Sequence, residues 1–411
     1  MIGRVAASVP LAVVLLDVTV AAVLLPDIRL DLGSSSSGGQ WILNAYLLAL
    51  AALFPLLARL GGGRRRELAA TGAVVMAIGA VVCVAADSTA ALVAGRALQG
   101  AGTAGVLAAV VAPQLAGGLS AAALPALALA LGPLVGGVFA EHNWWRVFFW
   151  AGIPLAAVVG AAALAAPRVA PARPSTPALL ASAYAAGLIA LTVLLVQAEP
   201  WGLGWAALAL ATGLLAVSGV PGRLPTPAFL LATVAGCLAA LVFLVPEYFQ
   251  LVRNLSGLRS GILLLPVTVA AVTTWALSGR LAGRIPIAAV GVACAAIGLA
   301  VLIAIDVHTR YAVLIGALGL AGSGLGLAAG ATRAELTPAL AGAALGLATA
   351  GAGFQLAQAE ERDSGATFEH ALAAGVGWAA IVMLVLMAVG ALALWRGPTP
   401  ASSAAPPAAG S

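Results

Sequence analysis

The chain has 411 residues, 63% of them hydrophobic and only 8% charged, with a formal net charge of +5. Soluble globular proteins carry about 25% charged residues, so this composition excludes a soluble protein built around one buried core. Many separate apolar runs reach about 20 residues, the length that crosses a ~30 Å hydrocarbon slab at about 1.5 Å per residue. The weaker alternation of outer-membrane barrel strands is absent, and the chain reads as an all-α integral membrane protein.

The first predicted span covers residues 5–26 and contains "VPLAVVLLDVTVAAVLLP" (9–26), apolar apart from Thr19, its prolines and one acid, Asp17. A signal peptide would have an apolar core of about 7–15 residues before a small-residue cleavage site. This run is longer and holds a carboxylate, so a retained span is expected. The second span (41–60) carries Asn44 and Tyr46 and leads into the loop "ARLGGGRRR" (58–66). The third covers 68–86. The fourth (90–112) holds Arg96, Gln99 and "GAGTAG" (100–105). That hexapeptide matches a dinucleotide-binding pattern, which needs a preceding strand and an opening helix. Inside an apolar span, small residues for close helix packing explain it better.

The fifth span (119–140) includes "LGPLVGG" (131–137), where Pro133 removes a backbone donor and kinks the helix, while Gly132, Gly136 and Gly137 permit close contact with a neighbour. Spans six to eight cover 147–166, 178–197 and 203–220. The ninth (227–250) ends in "VPEYFQ" (245–250), with Glu247 and Tyr248 near its end. Glu247 reads as a solvated rim residue, or alternatively as an auxiliary proton or cation site. The remaining spans are 260–279, 286–305, 311–331, 339–358 and 372–395, making fourteen in all. The Pro/Ala/Ser-rich tail after Trp395 reads as disordered.

Charge orients these spans, because cytoplasmic loops collect arginine. All nineteen basic residues are arginine. With the N-terminus inside, the inner loops hold twelve arginines against two acids, Glu67 and Glu335, and the outer loops hold six arginines against eleven acids. Both termini are therefore expected on the cytoplasmic side. The basic balance reflects orientation and gives no reason to expect nucleic acid as a partner.

A faint repeat appears in the loops. "ARLGGGRRR" follows the second span, and "SGRLAGRIP" (278–286) follows the tenth. If spans 1–6 and 9–14 are equivalent six-helix bundles, spans 7 and 8 are two extra central helices. The expected units are residues 1–166, an inserted pair at 167–225, a second bundle at 226–397 and a tail at 398–411. Two repeated bundles are a recurring plan for secondary transporters.

Enzyme signatures are lacking. His142, His308 and His370 are scattered through outer loops, Cys83, Cys237 and Cys294 are isolated, and without lysine there is no ATP-binding P-loop. No catalytic residue, metal or cofactor is expected. The intramembrane charges remain. An ionisable group at mid-bilayer costs at least ~2.5–3.5 kcal/mol, so it faces an interior and finds a partner. Asp17 lies roughly 18 Å up its span and Arg96 roughly 9 Å down its own, depths about 6 Å apart in a ~33 Å helix. A pair is geometrically accessible. A static pair would only fix helix register. A titrating pair could exchange a proton for cargo, since desolvation favours the neutral acid and the arginine favours the carboxylate.

Several motifs jointly resemble the fourteen-span drug:proton antiporters of the major facilitator superfamily. "LLDVTVAAVLLPDI" (15–28) is similar to that group's first-span motif, "WILNAYLLALAALFPLLARL" (41–60) to its second span and "GRALQGAGTAG" (95–105) to its fourth-span motif. "LGPLVGG" resembles the fifth-span antiporter motif, "WRVFFWAGIP" (145–154) the sixth-span entry and "PEYFQLVRNLSGLRSGILLLP" (246–266) the ninth-to-tenth connection. The resemblance implies two six-helix bundles of the major facilitator type plus two extra helices in a cytoplasmic membrane; a monomer is expected, and the Ala-, Gly- and Val-rich, lysine-free composition suggests a GC-rich bacterial genome. The resemblance also implies efflux of small hydrophobic or cationic compounds driven by protons, with uptake symport or a degenerate, non-transporting member as the alternatives. Asp17 and Arg96 would couple protons. Arg59, Arg64 and Arg65 would form a cytoplasmic gate, and Gly132, Pro133, Gly136 and Gly137 would shape the rocking helix. Asn44, Tyr46, Gln99, Tyr248 and Glu247 would meet substrate. The loop at 58–66 departs from the group's pattern by lacking its aspartate, a latch for which Glu67 is the available substitute.

Overall fold

The structure, a computed structural model, describes residues 2–115, 118–166, 178–218, 226–281, 286–305, 307–332, 336–365 and 367–395. The readings made for Arg168, Arg173, Arg223, Arg284, Asp306, Arg333, Glu335 and everything after Trp395 fall outside those residues. Among the described residues every regular element is helical: α1 (Ile2–Asp31), α2 (Ser36–Val84), α3 (Thr89–Leu115), α4 (Gly118–Glu141), α5 (Trp145–Ala165), α6 (Ala178–Val196), α7 (Gly204–Ser218), α8 (Thr226–Glu247), α9 (Gly257–Leu281), α10 (Ile287–Ile303), α11 (Tyr311–Gly330), α12 (Leu336–Asp363) and α13 (Phe368–Trp395). A π-helical turn, Tyr248–Val252, extends α8. Among the described residues eleven segments are long and apolar enough to cross a membrane, and the chain is a multi-pass membrane protein. Helices are what such composition dictates, because hydrocarbon offers the backbone no other hydrogen-bond partners.

One boundary differs from expectation. The predicted loop after the second span is helical, and α2 runs from Ser36 to Val84 with only Arg64 outside helical dihedrals (φ −120°, ψ 28°). The chain nevertheless reverses there. The first part of α2 runs alongside α3 in the same sense, with Arg96 on the Ile42 carbonyl and Gly100 against that of Tyr46. The second part runs opposite to α3, with Gly72 against Gly102 and Gly79 against Gly95.

Helix pairings recur along the chain. α1 packs on α4 as α8 packs on α12, α2 on α3 as α9 and α10 pack on α11, and α2 on α5 as α10 packs on α13. The contacts α4–α9, α2–α12 and α1–α8 join the two sets, while α6 and α7 lie against α12 and its neighbours. Without a hydrophobic force between helices in lipid, close van der Waals packing has to hold them. A Cβ at Gly102 would run into the backbone of Gly72 and Met76, and one at Gly105 would press on the Leu68 carbonyl. The small residues of "GAGTAG" therefore serve helix approach.

The entry to α5 is anchored by charge. Arg146 Nη1 lies 2.7 Å from Asp31 Oδ2, which also accepts the Trp145 indole N–H at 3.1 Å. Arg146 Nη2 donates to the Ala86 carbonyl at 3.2 Å, tying the ends of α1, α2 and α5 together.

Candidate functional site

Asp17 projects from the middle of α1 and meets Arg96 of α3. Nη1 donates to Oδ1 at 3.0 Å, and Nη2 stands 2.7 Å from Oδ2 as an ion-pair approach outside hydrogen-bond geometry. Arg96 is fully enclosed, whereas 14% of the Asp17 side chain is exposed. The guanidinium is also held without Asp17. Nε donates to the Ile42 carbonyl at 3.3 Å and Nη1 to Gln99 Oε1 at 3.0 Å, while Cζ sits 4.4 Å from the Tyr46 ring centroid and 5.7 Å from that of Phe149. These contacts with an amide, a carbonyl and two aromatic faces suit a desolvated cation. Among the described residues the Asp17 carboxylate is held by Arg96 alone. The arginine is thus the fixed member of the pair and the carboxylate the releasable one.

Two residues beyond Asp17, Thr19 is pressed against α4. Its hydroxyl donates back to the Leu15 carbonyl at 2.8 Å, and a Cβ at Gly132 would overlap that hydroxyl. Gly136 faces Val20 and Val23 on α1, and Gly137 faces Gly257 and Leu258 on α9. One turn of α4 thus lies between the helix carrying the acid and a helix of the other set. Pro133 lies within α4. A Cβ at Gly261 of α9 would meet its carbonyl, and Thr268 reaches the Ala130 carbonyl at 3.4 Å.

The expected substrate residues do not form one cluster. Tyr46 and Gln99 belong to the seat of Arg96; Tyr46 also donates to Thr103 at 3.4 Å, and Gln99 Oε1 also accepts from Cys83 at 3.5 Å. Asn44 is fully buried with neither amide atom hydrogen-bonded. Two residues from Tyr46, it points about 200° away around α2 and shares its face with Gln40, which bonds α12. Tyr248 is buried in an apolar crevice among α8, α10, α11 and α13, with Leu241, Phe249, Leu314 and Met383. Glu247 corrects the rim reading: it is fully enclosed, because Arg29 of α1 meets it at 2.5 Å.

At the arginine-rich end, Arg64 and Glu67 form a solvent-exposed pair at 3.8 Å, three residues apart on α2. Among the described residues the ion-pair partner of Glu67 thus lies on its own segment, and such pairs contribute little. Arg59 has one buried guanidinium nitrogen, Nη1, without a hydrogen bond; Arg65 is partly buried.

Sequence reasoning missed a polar seam at the acid-rich end. Arg29 Nη2 donates to Ser36 Oγ at 3.1 Å, and Ser36 donates to Gln358 Oε1 at 3.0 Å. Gln40 donates to the Leu347 and Ala348 carbonyls at 3.2 and 3.0 Å and accepts from Gln355. Gln250 donates to the Val23 carbonyl at 2.9 Å. The available signal was amides standing in otherwise apolar helices, Gln40 and Gln355 above all.

A family model described as Major Facilitator Superfamily matches residues 11–359. An efflux pump, FUS6, from Gibberella fujikuroi (strain CBS 195.34 / IMI 58289 / NRRL A-6831) is 35% identical over 153 residues, 35% of this chain and 27% of the pump. The cephamycin export protein CmcT from Amycolatopsis lactamdurans is 35% identical over 217 residues, 48% of this chain and 44% of that protein. The chain thus spans less than half the length of these relatives. Among solved structures, a bacterial homologue of the human lysosomal transporter Spinster, inward-facing and unoccupied, superposes with a TM-score of 0.65 at 16% identity, covering 97% of this chain and 98% of the other. A D-xylose-proton symporter gives 0.61 at 15%, covering 96% of each. At these identities the structural likeness is one of fold.

Proposed function

Because the chain belongs to the Major Facilitator Superfamily, we propose that it is a proton-coupled exporter of small hydrophobic or cationic compounds that works by alternating access. The observation that carries this reading is the asymmetric pair: a fully seated Arg96 facing a partly exposed Asp17 held by that arginine alone among the described residues. Protonation of the acid frees it while the guanidinium keeps its carbonyl, amide and aromatic contacts. The similarity to efflux pumps and to a cephamycin exporter supports the outward direction.

In this reading the architecture is fourteen spans, with α2 contributing two. Residues 1–166 and 226–397 form two six-helix bundles, and 167–225 is an inserted pair. The protein sits as a monomer in a bacterial cytoplasmic membrane, and the acid-rich end faces outward with both termini inside. Residues Gly132, Pro133, Gly136 and Gly137 let α4 move against α1 and α9. Arg59, Arg64 and Arg65 gate the inner end. Cargo meets Asn44, whose free amide is a ready hydrogen-bonding partner, with Tyr46, Gln99, Tyr248 and Glu247 contributing in other states of the cycle.

The test is accumulation of a fluorescent lipophilic cation in inverted membrane vesicles with an acidic lumen. Wild type should accumulate the probe, and Asp17→Asn should lose accumulation at unchanged protein level. Accumulation that survives Asp17→Asn sinks the proton role; probe loss from wild-type vesicles under the same gradient would instead indicate uptake symport.

A further inference from the structure

The bonds joining α1, α2 and α4 to α8, α9 and α12 gather from mid-span to the acid-rich end. The strongest is the contact of Arg29 with Glu247, one residue on α1 and the other where α8 passes into its π-helical turn. Around it stand the Ser36–Gln358 and Gln40–Gln355 bonds between α2 and α12, the Gln250 bond to α1, and Glu141 of α4 accepting the Leu258 N–H of α9 at 3.2 Å. All span helices that must separate if this end is to open.

We infer that Arg29 and Glu247 form a charge-dependent clasp that holds the acid-rich end shut and is released once in each transport cycle. This is a positioning role distinct from the Asp17–Arg96 pair, although its place in a cycle rests on the transporter reading above. Glu247 is wholly enclosed and Arg29 nearly so, with 15% of its side chain exposed. Enclosed charges repay their desolvation only when paired in good geometry, so a closed end with an unmatched charge is disfavoured. The clasp is also incompletely satisfied, since Glu247 Oε1 and Arg29 Nε are buried without hydrogen bonds. In the closed state it therefore gains less than a fully bonded pair, and the separated state, in which both groups meet water, stays within reach. The Ser36 hydroxyl, accepting from Arg29 and donating to Gln358, ties the clasp to α12, so a break at one seam loosens the other.

The experiment places spin labels at Asp87→Cys and Ser364→Cys, two exposed positions at this end, with Cys294→Ala; Cys83 and Cys237 are buried. Pulsed electron resonance then reports the label separation in full-length protein in nanodiscs. Glu247→Gln and Arg29→Gln should each raise the longer-distance population about tenfold, as expected for a two-state equilibrium that loses one strong tie. The double variant should shift no further than either single, because both remove the same bond, and Arg29→Lys should stay at the wild-type distance. Unshifted single variants, or a double variant whose effects add, overturn the clasp. The readout needs no cargo and no proton gradient, so an error in the role of Asp17 leaves it intact.

Discussion

At the scale of single residues, the fork of Arg96 is the feature to test. Lysine keeps the charge but cannot grip both Asp17 oxygens while also serving Ile42 and Gln99. Arg96→Lys is therefore expected to lower the initial rate of probe accumulation at least tenfold with membrane insertion unchanged. Gly132 offers a stability test. A methyl there collides with the Thr19 hydroxyl, and overpacking of this kind costs about 1–3 kcal/mol. Gly132→Ala should lower the thermal unfolding midpoint in detergent, and Thr19→Ala in the same chain should restore it only in part, because the Cβ of residue 19 also stands 2.8 Å from the added methyl. Asp17 and Arg96 were legible in the sequence because charge inside an apolar span demands an explanation and helix rise fixes its depth. Glu247 was misread because its enclosure depends on Arg29, 218 positions away, which no local pattern reveals. The opposite facing of Asn44 and Tyr46 could have been read from helix periodicity alone.

At the scale of helices, length and apolarity marked an all-helical membrane chain, with eleven segments long and apolar enough to cross a membrane among the described residues, and small residues set how closely segments approach. The surprise was the glycine-arginine stretch at 61–66, which looks like a loop by composition yet continues α2 up to and beyond one non-helical residue. Composition pointed to a loop because three successive glycines disfavour helix, and the helical form of the reversal runs against that local preference. Two substitutions separate packed from unpacked glycines. Gly102→Val would drive its side chain into the backbone of Gly72 and Met76, which cannot rotate away, so the protein should fail to accumulate in the membrane. Gly187 on α6 has no neighbour within 4 Å, and Gly187→Ala should leave expression and melting unchanged or slightly raised, by the helix propensity of alanine.

At the scale of the whole molecule, the recurring pairings α1–α4 with α8–α12 and α2–α3 with α9–α11 show an internal likeness that the sequence revealed only as two similar loops. The charge asymmetry between the two ends predicts sidedness for the entire chain. Fusions of a periplasm-dependent reporter to either terminus should be inactive, while the same reporter inserted at the exposed Asp87 turn should be active; the reverse result would invert the proposed orientation.

The unbonded amide of Asn44 has an implication for selectivity. Under the proposed exporter reading, in which cargo meets Asn44, a compound supplying both a donor and an acceptor would satisfy the two amide atoms that lack protein partners. Potency across a series of compounds should then track the presence of an adjacent donor–acceptor pair, such as an amide or lactam edge, more steeply than it tracks oiliness. Asn44→Leu should flatten that dependence, so that potency follows greasiness alone.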